Sequence, residues 1–402
     1  MQTHDPRVSS LALPQGMRDL LPPVASARRA VARVVLDCFT RWGYELVIPP
    51  AYEREESVVR GLSPQARANL QRFTDPASAD TVVLRPDMTP QIARIAAGRL
   101  TSRHAPLRLT YEGSILRAPQ GRTRGQRQIS QAGIELIGWA SRDADLEVIS
   151  AVLEALTGAG LRGLRLELSH AGATHALLTM LEPSLRPAVV QALSQRDVSW
   201  LSETLPDEPI RAAFLLAIAS AGGRDRLLQA TLHPQLSGPA IEVQEAIAAL
   251  TARFPDVELL CDLGETRGHG YYTGLSFVVL CDDLGQPLAS GGRYDGLLRE
   301  YGRDEPATGA AIDLEHTFDV LTRQAPSGPS DRILLLGSGA SRASIARQLR
   351  AHGCAVAEAD PMSREHALAA LESERFSRVW RCADDHVVDE VSGAVVTMEA
   401  AR

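Results

Sequence analysis

The segment Gln131 to Gly138 (QAGIELIG) places the tightest constraint on the fold. Residues two apart on a strand share a face, so Gln131, Gly133 and Glu135 point one way while Ala132, Ile134 and Leu136 point the other. One side is wholly apolar and must pack on other elements. The other side carries a carboxylate and an amide around a glycine. A carboxylate withdrawn from water is costly unless a cation or several donors meet it. Taken alone, a solvated sheet face would be the plainer reading; the neighbouring motifs favour the floor of a pocket.

The flanking segments supply the rest of such a sheet. Residues 24 to 43 read as an amphipathic helix with Val31, Val34, Val35, Cys38, Phe39 and Trp42 on one stripe. Gly43 ends it, and Tyr44 to Ile48 begins a strand that Pro49 and Pro50 keep out of interior pairing, leaving an edge that something else must cover. Strands follow at Thr81 to Arg85, Leu107 to Tyr111 and Ser130 to Gly138, with a helix from Pro90 to Leu100. The alternation and short spacing predict an antiparallel sheet flanked by helices, hence an α+β class. From about 172 to 256 the texture turns to long helical segments, read as an insertion. Strands return at Val257 to Cys261 and Tyr271 to Leu280, and a helix from Ile312 to Thr322 closes the module, 1–323. The linker 324–330 (QAPSGPS) leads into a small α/β domain, 331–402, with strands at Arg332 to Leu336, Ala355 to Ala359 and Arg378 to Trp380, and helices at Ser344 to Ala351 and Arg364 to Glu374.

A length of 402 residues calls for more than one core. Hydrophobic content of 45% and charged content of 23% describe a globular chain. No stretch reaches the ~20 uncharged apolar residues of a bilayer span, and the N-terminus lacks the order of a signal peptide, so no membrane role and a cytoplasmic location are expected. The five cysteines are scattered without a CxxC pair, which favours buried thiols over a disulfide framework or zinc site. All 42 basic residues are arginine, and the net charge is −7. From residue 331 onward, nine arginines face eleven acidic residues, a net of −2, so the tail is not built to grip phosphates.

Several short stretches carry chemistry. In LRPDMTP (84–90), Thr89 before Pro90 reads as a hydroxyl cap with proline at the first helical position. That helix start suits an anion, while Asp87 lies just ahead of it as a cap or as a contact for a cation. In RGHGYYTGLSF (267–277), Arg267 can fork onto a carboxylate and Tyr271 and Tyr272 can orient a ring, on a glycine-hinged entry into a strand. In GGRYDGL (291–297), Gly291, Gly292 and Tyr294 extend the same wall. Arg117, Arg122, Arg124 and Arg127 form a basic loop. Gly337-Ser338-Gly339 after a strand reads as a structural turn rather than a phosphate loop. No metal constellation and no nucleophile–base pair stands out.

These motifs together resemble the amino-acid pocket of histidyl-tRNA synthetases, and with FTRWGYELVIPP (39–50), LRAPQGR (116–122) and QAGIELIG the likeness runs from about residue 10 to 322. It implies a class II aminoacyl-tRNA synthetase-like antiparallel sheet flanked by helices, with the helix–strand–proline segment at a dimer interface. It places an ammonium at Asp87 and Thr89, and assigns L-histidine to Asp87, Thr89, Arg117, Gln131, Glu135, Arg267, Tyr271 and Tyr272. The nucleotide side departs from the family. Where a glutamate would hold adenine stands Pro119, and where an arginine would clamp ATP the segment GAAIDLEHTF carries His316. The strand after YYTG also runs on to Phe277-Val278, where synthetases usually carry an acidic residue.

A kept amino-acid pocket, a lapsed ATP grip and a short anionic tail resemble a paralogous family, the regulatory subunits of ATP phosphoribosyltransferase. That resemblance implies no aminoacylation, no cofactor and no functional tRNA binding. It further implies a homodimer within a hetero-oligomer with the short-form catalytic subunit, serving the first step of histidine biosynthesis under feedback by histidine. An active histidyl-tRNA synthetase and a paralogue with a vestigial pocket are the competing readings.

Overall fold

The computed structural model describes residues 12–396 apart from 63, 118–125, 206, 223, 325–331, 373–375 and 384–385. The chain divides into two compact units, residues 1–20 with 28–324, and residues 21–27 with 325–402.

The larger unit is built on an eight-stranded sheet. Its strands are β1 (Glu45–Leu46), β5 (Leu107–Leu116), β6 (Gln128–Ile137), β7 (Leu164–His170), β8 (Glu258–Cys261), β9 (Leu275–Cys281), β10 (Leu284–Arg293) and β11 (Ala307–Asp313), in the spatial order β1-β5-β6-β11-β10-β9-β7-β8. A separate three-stranded sheet sets β4 (Thr81–Leu84) between β2 (Tyr52–Arg54) and β3 (Arg72–Thr74). The large sheet is mixed: its interior pairings are antiparallel, but β1 on β5 and β7 on β8 are parallel. Both parallel pairs lie at the sheet's ends, where a strand has one neighbour and its alternation carries no directional signal.

The alternation along β6 does what its composition demands. Ala132, Ile134 and Leu136 are sealed into a core with the helices Val24–Arg41 and Arg142–Gly158. On the opposite face a second core forms under the helix Thr89–Gly98, joining Met88, Ile92, Leu109, Tyr111 and Tyr294. The site lies on this second face. In the first helix Val35, Cys38 and Phe39 are buried, whereas Val34 is 36% exposed. Val34 and Val35 stand about 100° apart on a helix, so one stripe cannot hold both ends of that arc equally. Gly43 ends the helix at φ +83, a left-handed turn that L side chains rarely adopt.

Between β7 and β8 the described residues form six helices, from Ala171–Thr179 to Ser237–Arg253, over the stretch read as an insertion. The closing helix is Leu314–Gln324. It starts two residues later than expected because Asp313 accepts from the backbone N–H groups of Glu315 (2.9 Å) and His316 (3.0 Å) and so caps it.

In the smaller unit, strands Arg332–Leu336, Ala355–Ala359 and Arg378–Ala383 pair in parallel around two helices, Gly339–Ala351 and Arg364–Glu372. Antiparallel strands His386–Asp389 and Val395–Val396 extend the sheet; their shortness hid them in the sequence. None of the five cysteines is in a disulfide, and Cys354 and Cys382 are half-buried rather than buried.

Candidate amino-acid site

The centre of the site is Glu135, 1% exposed on the inward face of β6. Its carboxylate accepts from the Thr89 hydroxyl (2.8 Å) and the Tyr111 hydroxyl (3.2 Å), and closely from Tyr294. Among the described residues no guanidinium or imidazole pairs with it. Burial raises its pKa from 4.5 to about 8, with the nearby Asp87 charge adding to the rise and the three hydroxyls opposing it. A carboxyl held half-ionised at that pH is poised to gain a cation.

Register explains how so much chemistry fits between two strands. Tyr111 of β5 lies opposite Gly133, and Gly309 of β11 lies opposite Glu135. A Cβ at Gly133 would overlap the Tyr111 ring, and one at Gly309 would overlap the Glu135 carboxylate itself. Small residues on the flanking strand positions are what admit the acid and its phenol.

The helix Thr89–Gly98 starts differently from expectation. Thr89 does not cap it; the Asp87 Oδ1 accepts from the N–H groups of Met88 (2.6 Å) and Thr89 (3.3 Å). The threonine hydroxyl is drawn away by Glu135, because a charge-assisted bond in a buried site outweighs a surface cap. The helix N-terminus therefore already has its anion, supplied by Asp87.

Tyr271 and Tyr272 sit in a turn rather than in the strand, which begins at Leu275. Both backbone N–H groups donate to the Gly268 carbonyl, at 2.9 and 3.0 Å, with Gly268 at φ +69 and Gly270 at φ +79. Tyr271 stacks on Tyr294 with centroids 5.4 Å apart and meets Tyr272 edge-on at 5.2 Å. Burial and the Glu135 charge hold the phenols of Tyr271 and Tyr294 well above their ordinary pKa, so they act as neutral donors. Arg293 points to the other face, where it forks onto the buried Asp145 (3.1 and 3.0 Å) and anchors the strand that carries Tyr294.

Of the eight residues singled out in the sequence, seven line one run of cavities. A recess of about 70 Å³ is bounded by Asp87, Thr89, Arg117, Gln131, Tyr271 and Tyr272. It adjoins a cavity of about 310 Å³ that shares Asp87, Tyr271 and Tyr272 and adds Arg267. A third, about 370 Å³, continues past Arg267 and Tyr272 to His175 and His269. Glu135 is behind the wall rather than on it. The Gln131 Oε1 is buried without a partner, an acceptor left for a ligand donor. Arg267 is not free to meet a carboxylate: its Nε donates to Glu265 (2.7 Å) and a terminal nitrogen to Glu167 (3.2 Å).

Tyr111 and Tyr294 were missed as partners of the acid. GGRYDGL had put Tyr294 on the pocket wall, whereas nothing local marks Tyr111, whose role depends on its register with Gly133. On the nucleotide side, the His316 Nδ1 lies 2.8 Å from the Pro287 carbonyl and 3.5 Å from Asp313. The ring is thus engaged by its own neighbours at the position where synthetases, by the motif resemblance, carry an arginine. Pro119, Arg122 and Arg124 lie outside the described residues.

The family model for histidyl-tRNA synthetase matches residues 16–317. An ATP phosphoribosyltransferase regulatory subunit from Anaeromyxobacter sp. (strain K) is 38% identical over 322 residues, covering 78% of this chain and 92% of the relative. The chain belongs to the family of ATP phosphoribosyltransferase regulatory subunits. A second member, from Moorella thermoacetica, is 34% identical over 382 residues and covers 92% of this chain and 98% of its own. A solved structure from Bacillus halodurans C, described as an ATP phosphoribosyltransferase regulatory subunit/histidyl-tRNA synthetase, superposes with TM-score 0.80 at 28% identity, covering 92% of this chain and 98% of its own. The fold is thus class II synthetase-like, and the chain is a regulatory subunit rather than a catalyst. No described helix is long and apolar enough to cross a membrane.

Proposed function

We propose that this regulatory subunit is a histidine sensor that associates with a short-form ATP phosphoribosyltransferase catalytic subunit and confers feedback control on the first step of histidine biosynthesis. The observation that carries the reading is Glu135: a buried carboxyl with three hydroxyl partners and, among the described residues, no cation, backed by an unpartnered Gln131 acceptor. Histidine brings an ammonium and an imidazole N–H, donors that suit the Glu135 carboxyl and the Gln131 acceptor. Asp87 and Thr89 take the ammonium side, Glu135 and the tyrosines the ring. Arg117 and Arg267 flank the carboxylate. Inhibition follows if histidine prefers one conformation of the complex, with a coupling of ~1–3 kcal/mol.

The reading includes a homodimer. At the edge strand β1 Leu46 is 56% exposed and, just after it, Ile48 is 82% exposed, while on the three-stranded sheet the exposed Tyr52 and Phe73 rings pack edge-to-face. An apolar strand edge of this kind calls for a cover.

Co-purification with a short catalytic subunit, assayed with and without histidine, tests the whole proposal. Inhibition that survives Glu135→Ala would place histidine elsewhere. Pyrophosphate exchange with histidine and ATP tests the competing synthetase reading, which the self-contained His316 and the anionic tail disfavour. A flat calorimetric titration with histidine would leave only a vestigial pocket.

A further inference from the structure

The helical insertion and the site share one ionic cluster. Oxygens of Glu167 on β7, Asp262 after β8, and Glu265 all lie within 4.8 Å of one another. Two guanidiniums hold these three carboxylates. Arg267 bonds Glu265 and Glu167 from the site side. Arg196 pairs with Asp262, which is fully buried and also accepts from the Gly264 N–H at 2.9 Å.

Arg196 belongs to the insertion. It follows the helix Arg186–Gln195 at φ 52, ψ 39, a left-handed conformation that an arginine adopts only where something holds it. A second thread joins the same elements: the Thr174 hydroxyl, on the first helix of the insertion, donates to the Glu265 carbonyl at 2.9 Å. With all three acids ionised the cluster already carries one negative charge more than its two arginines supply. Burial pushes Glu167 and Asp262 above the ordinary carboxylate range, while the arginine bonds hold Glu265 below it.

We propose that Arg267 is a two-position latch, bound to Glu265 and Glu167 in the empty site and to the effector's carboxylate in the filled one, and that its departure is relayed through Asp262 to Arg196 and the helices it anchors. Once Arg267 leaves, three carboxylates face a single guanidinium in a half-buried setting. Like charges that close disfavour one another, so Arg196 must re-centre or Glu167 and Glu265 must turn outward. Either response moves the 186–204 segment, whose connecting turn is held in register by the Arg196–Asp262 pair. An equilibrium that both sites bias is the physical requirement for coupling. The inference rests on histidine occupying the Glu135 pocket.

Hydrogen exchange on the full chain tests it, with L-histidine and with histidinol, which keeps the ring and ammonium but replaces the carboxylate with a hydroxymethyl group. Both ligands should protect β6 and the helix Thr89–Gly98. Histidine alone should change exchange across 186–204. In Arg196→Gly, which removes the guanidinium and leaves the left-handed backbone unstrained, the change at 186–204 should vanish while pocket protection by histidine persists. If neither ligand protects the pocket, the sensor reading fails. If histidine protects the pocket but leaves 186–204 as histidinol does, or if the change survives in Arg196→Gly, the relay is wrong.

Discussion

Replacing Glu135 with glutamine should stabilise the empty protein, and increasingly so as pH rises. The side chains are nearly isosteric, and the amide can exchange hydrogen bonds with the Thr89, Tyr111 and Tyr294 hydroxyls. In the unfolded chain the carboxyl titrates near 4.5; in the folded site its pKa is about 8. Between these values the folded state holds a proton that the unfolded state has lost, so stability falls as pH rises. The loss is about 1.4 kcal/mol for each pH unit, about 5 kcal/mol in all by pH ~8, and constant above that. Below pH ~4.5 both states are protonated and the residue contributes no such slope. Glutamine has no proton to lose. The two proteins should therefore unfold at similar temperatures near pH ~5, while at pH ~8 the variant should melt about 10 °C higher, at about 2 °C per kcal/mol for a unit of this size.

Scanning calorimetry of wild type and Glu135→Gln from pH ~5 to ~9, without ligand, measures this directly. A melting difference that does not change with pH would refute the reasoning, because it would mean that the folded site does not hold the Glu135 proton. Saturating histidine should then narrow the gap at high pH, since a bound ammonium or imidazole N–H favours the charged form.

The remaining expectations concern the groups around the acid and the sheet edge. Tyr294→Phe removes one donor to a buried carboxylate, worth about 1.5–3 kcal/mol, and should weaken histidine binding by about 10–100-fold in calorimetric titration. Gly309→Ala should abolish that binding, because its methyl occupies the space of the Glu135 carboxylate; retained binding would mean that β11 yields. Ile48→Glu places a charge on the exposed segment just after β1 and should shift the protein from dimer to monomer in light scattering.

Much of this site could be read along the chain because its parts lie on regular elements. Strand alternation puts Gln131 and Glu135 on one face and Ile134 on the other, and the structure keeps that division, although both faces are buried. The helix after Pro90, the insertion and the terminal α/β unit were legible for the same reason: each has its own hydrophobic period. Local patterns failed where a residue's partner lies far away in sequence. Thr89 reads as a cap until Glu135, 46 residues on, claims its hydroxyl. Arg267 reads as a free fork until Glu167, 100 residues earlier, takes one of its nitrogens.

By itself, then, the sequence determined the order of the elements and which polar groups share a strand face or a helix start, since these depend on spacing within single elements; the family was legible through the resemblance of its motifs. Only the tertiary structure decided how those groups are employed. The register of β5 and β11 on β6 brought Tyr111 and an empty Gly309 to Glu135, and among the described residues no cation pairs with the acid. The packing of the insertion set Arg196 against Asp262, in the same cluster as the Glu167 and Glu265 that restrain Arg267. Burial and pairing between distant strands set the charge state of a site, and neither is written in the spacing of residues along one strand.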